Sequence, residues 1–238
     1  MLGVLTNTLA VLVGSFIGLL CKKGFPKSIS EAAMLGIGLC TIYIGVSGSL
    51  KGNNTMVVIV AIVLGSILGT GIDIDKRLSN LAEWVERKAT SKKNTGMDKQ
   101  RGSIAEGFIT ASLLFCIGAM TIVGSLNAGL FGDNEMLFTK SALDFISSIL
   151  LSVSLGIGVL FSAAFVFIFQ GALVLFAELL RPLLTEIAIS DLTCVGSILI
   201  IGLGLNLVGA TKLKIANYLP ALLFAPLATV LFQWLNIG

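Results

Sequence analysis

The feature that most constrains this chain is a series of apolar runs, each about the length of a bilayer-crossing helix, separated by short polar links. Crossing the hydrocarbon core takes about 20 mainly apolar residues in a helix. Such runs cover Met1 to Leu20, Ala33 to Leu50, Thr55 to Ile72, Ile104 to Leu126, Leu137 to Val159, Leu160 to Leu180, Leu192 to Ala210 and Tyr218 to Ile237. In lipid every backbone N–H and C=O must be satisfied internally, which favours helices. The expected fold is therefore all-α: a polytopic helical membrane protein of about eight transmembrane helices, forming a single transmembrane domain over 1–238. Composition points the same way. Only 12% of residues are charged, about half of what a soluble domain carries, too few to cover a water-facing surface. The 27 glycines would weaken helices in water, but they let membrane helices approach closely.

Two boundaries need a decision. Lys22 and Lys23 follow the first run, whereas a secretory signal begins with its positive charge. The run is therefore retained as a span. Between Leu143 and Leu180 there is almost no polar punctuation, and Gly156 and Gly158 are the natural place for a turn. Without that turn the count is seven.

Lys and Arg collect in cytoplasmic loops. With the amino terminus outside, thirteen of the 16 cations fall in the inner segments around 22–27, 73–103 and 211–217, and only Lys51, Lys140 and Arg181 fall in outer ones. Both termini are expected outside, with the long loop 73–103 cytoplasmic. In that loop Leu78, Leu81, Trp84 and Val85 follow helical spacing among basic residues, the pattern of an amphipathic helix lying on the inner leaflet. The polar stretch Ser91 to Gly96 reads as a linker.

The chain also resembles itself at long offset. Ser15 answers to Gly171, Gly38 to Gly196, and Lys51 in Leu50-Lys51-Gly52-Asn53 to Lys214 in Leu213-Lys214-Ile215-Ala216-Asn217. On the topology above the copies, 1–75 and 157–237, start on opposite sides and are inverted around a central hairpin. Inverted repeats are a common construction of secondary transporters, whose sites lie near the bilayer midplane between the halves.

Several chemistries are set aside. There is no histidine, hence no Ser-His-Asp triad and no histidine metal site. Cys21, Cys40, Cys116 and Cys194 are scattered without a C-x-x-C pair, and no phosphate-binding loop occurs. No cofactor, metal or nucleic-acid partner is expected, and no enzymatic activity.

What remains is the polar content of the spans, where such groups face a protein interior or a water-filled path. Gln170 stands in the middle of the sixth run among phenylalanines and leucines. Lys140, Asp144, Ser148, Ser152 and Gly156 recur every fourth residue and share one helix face, either a path-lining stripe or a small-residue packing seam. Thr110 lies one turn beyond Glu106, and Asn7, Asn127 and Asn206 are amides able to bridge helices. Gly14-x-x-x-Gly18 and Gly65-x-x-x-Gly69 are helix-contact signals, serving packing within a subunit or a homodimer. Pro220 and Pro226 should bend or interrupt the last span.

The stretch Gly107-Phe108-Ile109-Thr110-Ala111-Ser112-Leu113-Leu114-Phe115-Cys116-Ile117-Gly118-Ala119-Met120 resembles a signature of the bacterial integral membrane family known as domain of unknown function 554, the YqgA-like proteins. Lys140 to Asp144, Gly156 to Ser162, Gln170-Gly171, Gly14-Ser15 and Asn217 to Ala221 fit the same pattern, so the resemblance spans nearly the whole chain. It implies a bacterial membrane protein of unassigned activity, and it singles out Thr110, Ser112, Lys140, Asp144, Ser162 and Gln170. Phe145 stands where the family pattern implies glycine, which argues against a close helix contact at that point.

The expected function is a secondary transporter or channel-like permease for a small solute or ion, its path lined by the fourth to sixth spans. The substrate-path candidates are Thr110, Ser112, Lys140, Asp144, Ser148, Ser162, Gln170 and Asn206. The alternative is a non-transporting membrane protein that binds a partner through the cytoplasmic loop.

Overall fold

The structure, a computed structural model, describes residues 1–22, 27–77, 80, 104–116 and 119–235. The amphipathic helix and the linker expected between 78 and 96 lie outside these residues. The described elements are α1 (Leu2–Lys22), α2 (Lys27–Ser49), α3 (Thr55–Ile72), α4 (Ile104–Cys116), α5 (Ala119–Leu130), α6 (Glu135–Leu155), α7 (Gly158–Leu175), the short α8 (Ala177–Leu180), α9 (Glu186–Leu207), a 3-10 turn at Ile215–Tyr218, and α10 (Ala221–Trp234). No strand occurs among the described residues. The fold is all-α.

Among the described residues, six helical stretches are long and apolar enough to cross a membrane, and the bent pair formed by α4 and α5 makes a seventh if it counts as one span. The described apolar part of α2, Leu35–Ser49, is shorter. The fourth run, expected as one continuous span, is thus two helices inclined at 60° to one another.

Local chemistry sets the other breaks. Gly156 has φ +79°, a conformation that costs glycine little, and it ends α6 where the turn is expected. Asn54 begins α3 by accepting hydrogen bonds from the backbone N–H of Met56 and Val57, and Thr185 does the same for Ala188 at the start of α9. Asp73, with φ +52°, closes α3 in the left-handed region. Pro220 sits immediately before α10, where its missing N–H loses nothing, while Pro226 lies inside that helix. The last run is therefore divided ahead of Pro220 into a 3-10 turn and a helix.

Small residues decide which helices pair. Along α1 and α6 the close approaches advance together: a methyl group on Gly3 would meet Leu137, on Gly14 the Phe145 carbonyl oxygen at 2.5 Å, and on Gly18 the Ile149 carbonyl oxygen at 2.4 Å. These two helices run parallel. The same logic makes α2 and α9 antiparallel, with Gly38 against Val208, Gly45 against Ile201 and Gly48 against Ser197. It also makes α3 antiparallel to the segment entering α10, with Gly65 against Ala221 and Gly69 against the Asn217 carbonyl. Gly158 of α7 abuts the Ile104 carbonyl and the Phe108 N–H of α4.

Both Gly-x-x-x-Gly signals are therefore used within the chain. The close contact that Phe145 argued against is present, because the space is provided by Gly14 on the opposite helix. Large side chains such as Leu9, Phe16, Leu39, Ile59, Ile67 and Ile168 point outward, as expected of surfaces solvated by lipid tails.

Candidate functional site

The bundle of α1, α5, α6 and α7 is stratified. Val4, Ala128, Leu137 and Val174, one residue from each helix, form a buried apolar cluster. A second apolar layer joins Val11 of α1, Phe115 of α4, Leu151 of α6 and Ala163 and Val166 of α7. Helical spacing decides what lies between. Three residues beyond Val4 is Asn7, three before Ala128 is Ser125, three beyond Leu137 is Lys140, and four before Val174 is Gln170. Every one of these is buried, and Asn7, Ser125 and Gln170 are fully so. A polar stratum thus lies between two apolar ones.

Its charges are paired. Lys140 forms an ion pair with Asp144, one turn further along α6, and Asn7 Nδ2 donates to Asp144 Oδ2 at 3.0 Å. The Lys140 ammonium lies 6.0 Å from the centre of the Phe115 ring, at the end of α4, a favourable position over an aromatic face. An ionised carboxylate only accepts hydrogen bonds, so the bond to Asp144 fixes the orientation of the Asn7 amide. Its NH2 faces the carboxylate and its Oδ1 faces away. That oxygen is buried without a partner, as are Ser125 Oγ and both polar atoms of Gln170. An unpartnered amide in an apolar setting costs a few kcal/mol, so a fully buried glutamine with neither atom bonded is a costly group whose position calls for an explanation.

The break between α4 and α5 adjoins this stratum. Thr121 Oγ1, just inside α5, donates to the Phe115 carbonyl at 3.0 Å, tying the two helices together across the break. Further in, past the Val11 layer, come Ser15, Thr110 and Ser152, buried hydroxyls without partners, and Ser162, which donates to its own helix at the Val159 carbonyl.

The other predicted positions have different surroundings. Ser148 donates to the Phe145 carbonyl and packs on Gly14; below Asp144 the α6 stripe is a packing seam. Ser112 is buried and unpartnered, but at two residues from Thr110 it occupies another face of α4. Asn206 is half-buried and closes the link after α9, donating to the Leu213 carbonyl at 2.7 Å and accepting from Thr211 Oγ1 at 2.7 Å and from Leu213 N at 2.8 Å. It lines a cleft of about 190 Å³ with Asp75 and Glu106, away from the polar stratum.

Two features escaped the sequence-based expectations. The first is the contribution of α5, where no pattern marks Ser125; Asn7, read in the sequence as an amide able to bridge helices, does so by joining α1 to α6 at Asp144. The second is Asp191, fully buried, which accepts from the backbone N–H of Asn53 at 2.9 Å and of Asn54 at 3.1 Å and from Thr229 Oγ1 at 2.9 Å. It stands one residue ahead of the seventh run, inside α9. An apolar cleft of about 600 Å³ between α2, α4 and α6 reaches Asp144, Thr41 and Phe115, and one of about 390 Å³ is lined by Cys116, Phe169, Leu173, Leu222 and Pro226.

Compared with known proteins, residues 2–230 match the family described as Protein of unknown function (DUF554). The chain is 33% identical over 230 residues to the uncharacterized membrane protein YdfK of Bacillus subtilis, covering 95% of this chain and 94% of the relative. It is 29% identical over 234 residues to the uncharacterized protein YqgA of Escherichia coli, covering 98% of each. No solved structure matches.

Proposed function

Because this chain belongs to the DUF554 family, a family of membrane proteins whose name carries no activity, we propose a function from its geometry: a secondary transporter or channel-like permease for a small solute or ion, without enzymatic activity. The observation that carries this is the stratum of Asn7, Ser125, Lys140, Asp144 and Gln170, buried between two apolar layers and holding polar atoms without partners. Groups of this kind are expensive in lipid and are kept where a polar guest is accommodated. The broken helix beside the stratum belongs to the same construction, since irregular backbone at membrane depth occurs where it is buried in protein or lines a cavity.

The inverted repeat is part of this proposal, and helix directions support it. Each pair of equivalent helices packs antiparallel: α2 on α9 and α3 on the α10 segment through their glycines, and α1 on α7, where Val4 clusters with Val174 and Val11 with Val166. A two-fold axis in the membrane plane relates equivalent helices in opposite directions, and helices next to the axis then pair with their own counterparts. The seam of α1 with α6 then has its counterpart in that of α7 with α4. Within this reading the protein lies in the bacterial inner membrane with both termini outside, a sidedness supported by the lysine and arginine distribution and by the parallel course of α1 and α6.

Purified protein in liposomes is expected to carry a solute or ion from a broad panel faster than empty vesicles, with the rate falling at least tenfold in Asp144→Asn, roughly the effect of removing one buried charge partner. Flux equal to that of empty vesicles across the panel would refute the proposal.

A further inference from the structure

Three oxygens of the polar stratum lack partners, and Gln170 Nε2 is an unpartnered donor. Asn7 Oδ1 is held as an acceptor, because the other end of that amide donates to Asp144. Ser125 Oγ and Gln170 Oε1 are oxygens free to turn the same way, and all three are fully buried and unpartnered. The carbonyls of an α-helix point toward its carboxyl end, and the last four lack intrahelical donors. α4 is described as far as Cys116, and its Phe115 belongs to the apolar layer directly beneath the stratum. Thr121 occupies one lone pair of the Phe115 carbonyl. The negative end of the α4 dipole therefore faces the same oxygens.

The electrostatics narrow the guest. The cation of the stratum, Lys140, is paired with Asp144, so no free positive charge awaits an anion. Asp144 is likewise engaged, by Lys140 and Asn7, so no free carboxylate is left of the sort divalent ions favour. Neither apolar cleft is lined by Asn7, Ser125 or Gln170. Neutral amide, hydroxyl and carbonyl oxygens at the end of an interrupted helix are the donor set by which membrane transporters hold monovalent ions.

We propose that Asn7, Ser125 and Gln170, with the carboxyl-terminal carbonyls of α4, bind a single dehydrated monovalent alkali cation. The assignment rests on the transport reading of the same stratum and names an ion for it.

Thermal unfolding of the full-length protein in detergent, in sodium, lithium, potassium or choline chloride at equal ionic strength, tests the assignment. One alkali cation is expected to raise Tm saturably over choline, as a ligand bound only by the folded state must. Gln170→Leu removes both unpartnered atoms at similar volume, a change that is near neutral or stabilising when the amide has no guest. This variant should match or exceed the parent Tm in choline and lose the cation-dependent rise, and Ser125→Ala should lose most of it. No alkali cation raising Tm above choline overturns the assignment. A rise that survives undiminished in both variants does so too, because the ion then sits elsewhere. Solute flux in choline-only liposomes, combined with no cation-dependent rise, would leave the transport reading standing and remove the ion, so the two fail separably.

Discussion

Among individual residues, Lys140 and Asp144 carry the greatest energetic weight. A buried ion pair contributes little net stability, yet removing one partner strands the other charge and costs about 3–5 kcal/mol, whereas replacing both by apolar residues is often neutral. Unfolding in detergent should therefore show Asp144→Asn and Lys140→Met each destabilised by about that amount and the double replacement Lys140→Met/Asp144→Leu recovering most of it. Liposome flux should stay low in all three, since stability and function part company in the double variant. Asp191 is the second such residue. Its carboxylate ties the start of α3 to α9 and α10 through two backbone N–H groups and the Thr229 hydroxyl. Asp191→Ala removes the acceptor shared by two part-buried N–H groups and Thr229, which keeps its bond to the Ala225 carbonyl, and should cost about 1–3 kcal/mol, read by unfolding in detergent. Lys140 and Asp144 were legible in the sequence because a charge pair in an apolar run stands out. Asp191 was not, since at the edge of a run a structural carboxylate and a polar link look alike.

For helices, what matters is how closely two backbones approach. Gly14 and Gly18 lie against carbonyl oxygens of α6, and Gly69 against that of Asn217, where a methyl group would come within 1.8 Å. Gly36, in contrast, faces nothing within 4 Å. Gly14→Leu should therefore lower stability by about 3 kcal/mol, the upper end of typical overpacking costs, while Gly36→Ala should stay within about 0.5 kcal/mol of the parent, both read by unfolding in detergent. Equal effects would mean that the α1–α6 seam is looser than the glycines imply. Sequence spacing identified Gly14-x-x-x-Gly18 as a contact face. It left the partner open, because a small-residue face is complementary to any helix that presents a ridge. The polar stripe of α6 shows the same limit. Its fourfold spacing guaranteed one face, but that face is an ion pair at its outer half and a packing seam at Ser148 and Ser152, a division made by Asn7 on one side and the glycines of α1 on the other.

At the scale of the whole molecule, sidedness follows from crossings. Between Asp133, in the link from α5 to α6, and Lys212, beyond α9, the chain crosses the membrane through α6, α7 and α9. In a background lacking Cys21, Cys40, Cys116 and Cys194, a cysteine at Asp133 should react with an impermeant thiol reagent in intact cells, and one at Lys212 only after permeabilisation. Labelling of both from the same side would overturn the topology. The all-α membrane class and the turn at Gly156 are determined by sequence alone, because the need to satisfy backbone groups in lipid acts on each run separately, and so does the conformational freedom of glycine. The tertiary structure alone decided that the fourth run is broken, that α1 joins α6 and α7 rather than standing at the edge, and that Asn7, Ser125 and Gln170 share a stratum with Lys140 and Asp144. These features depend on which faces of separate helices meet, and a single helix's residues set its own face but not the one opposite.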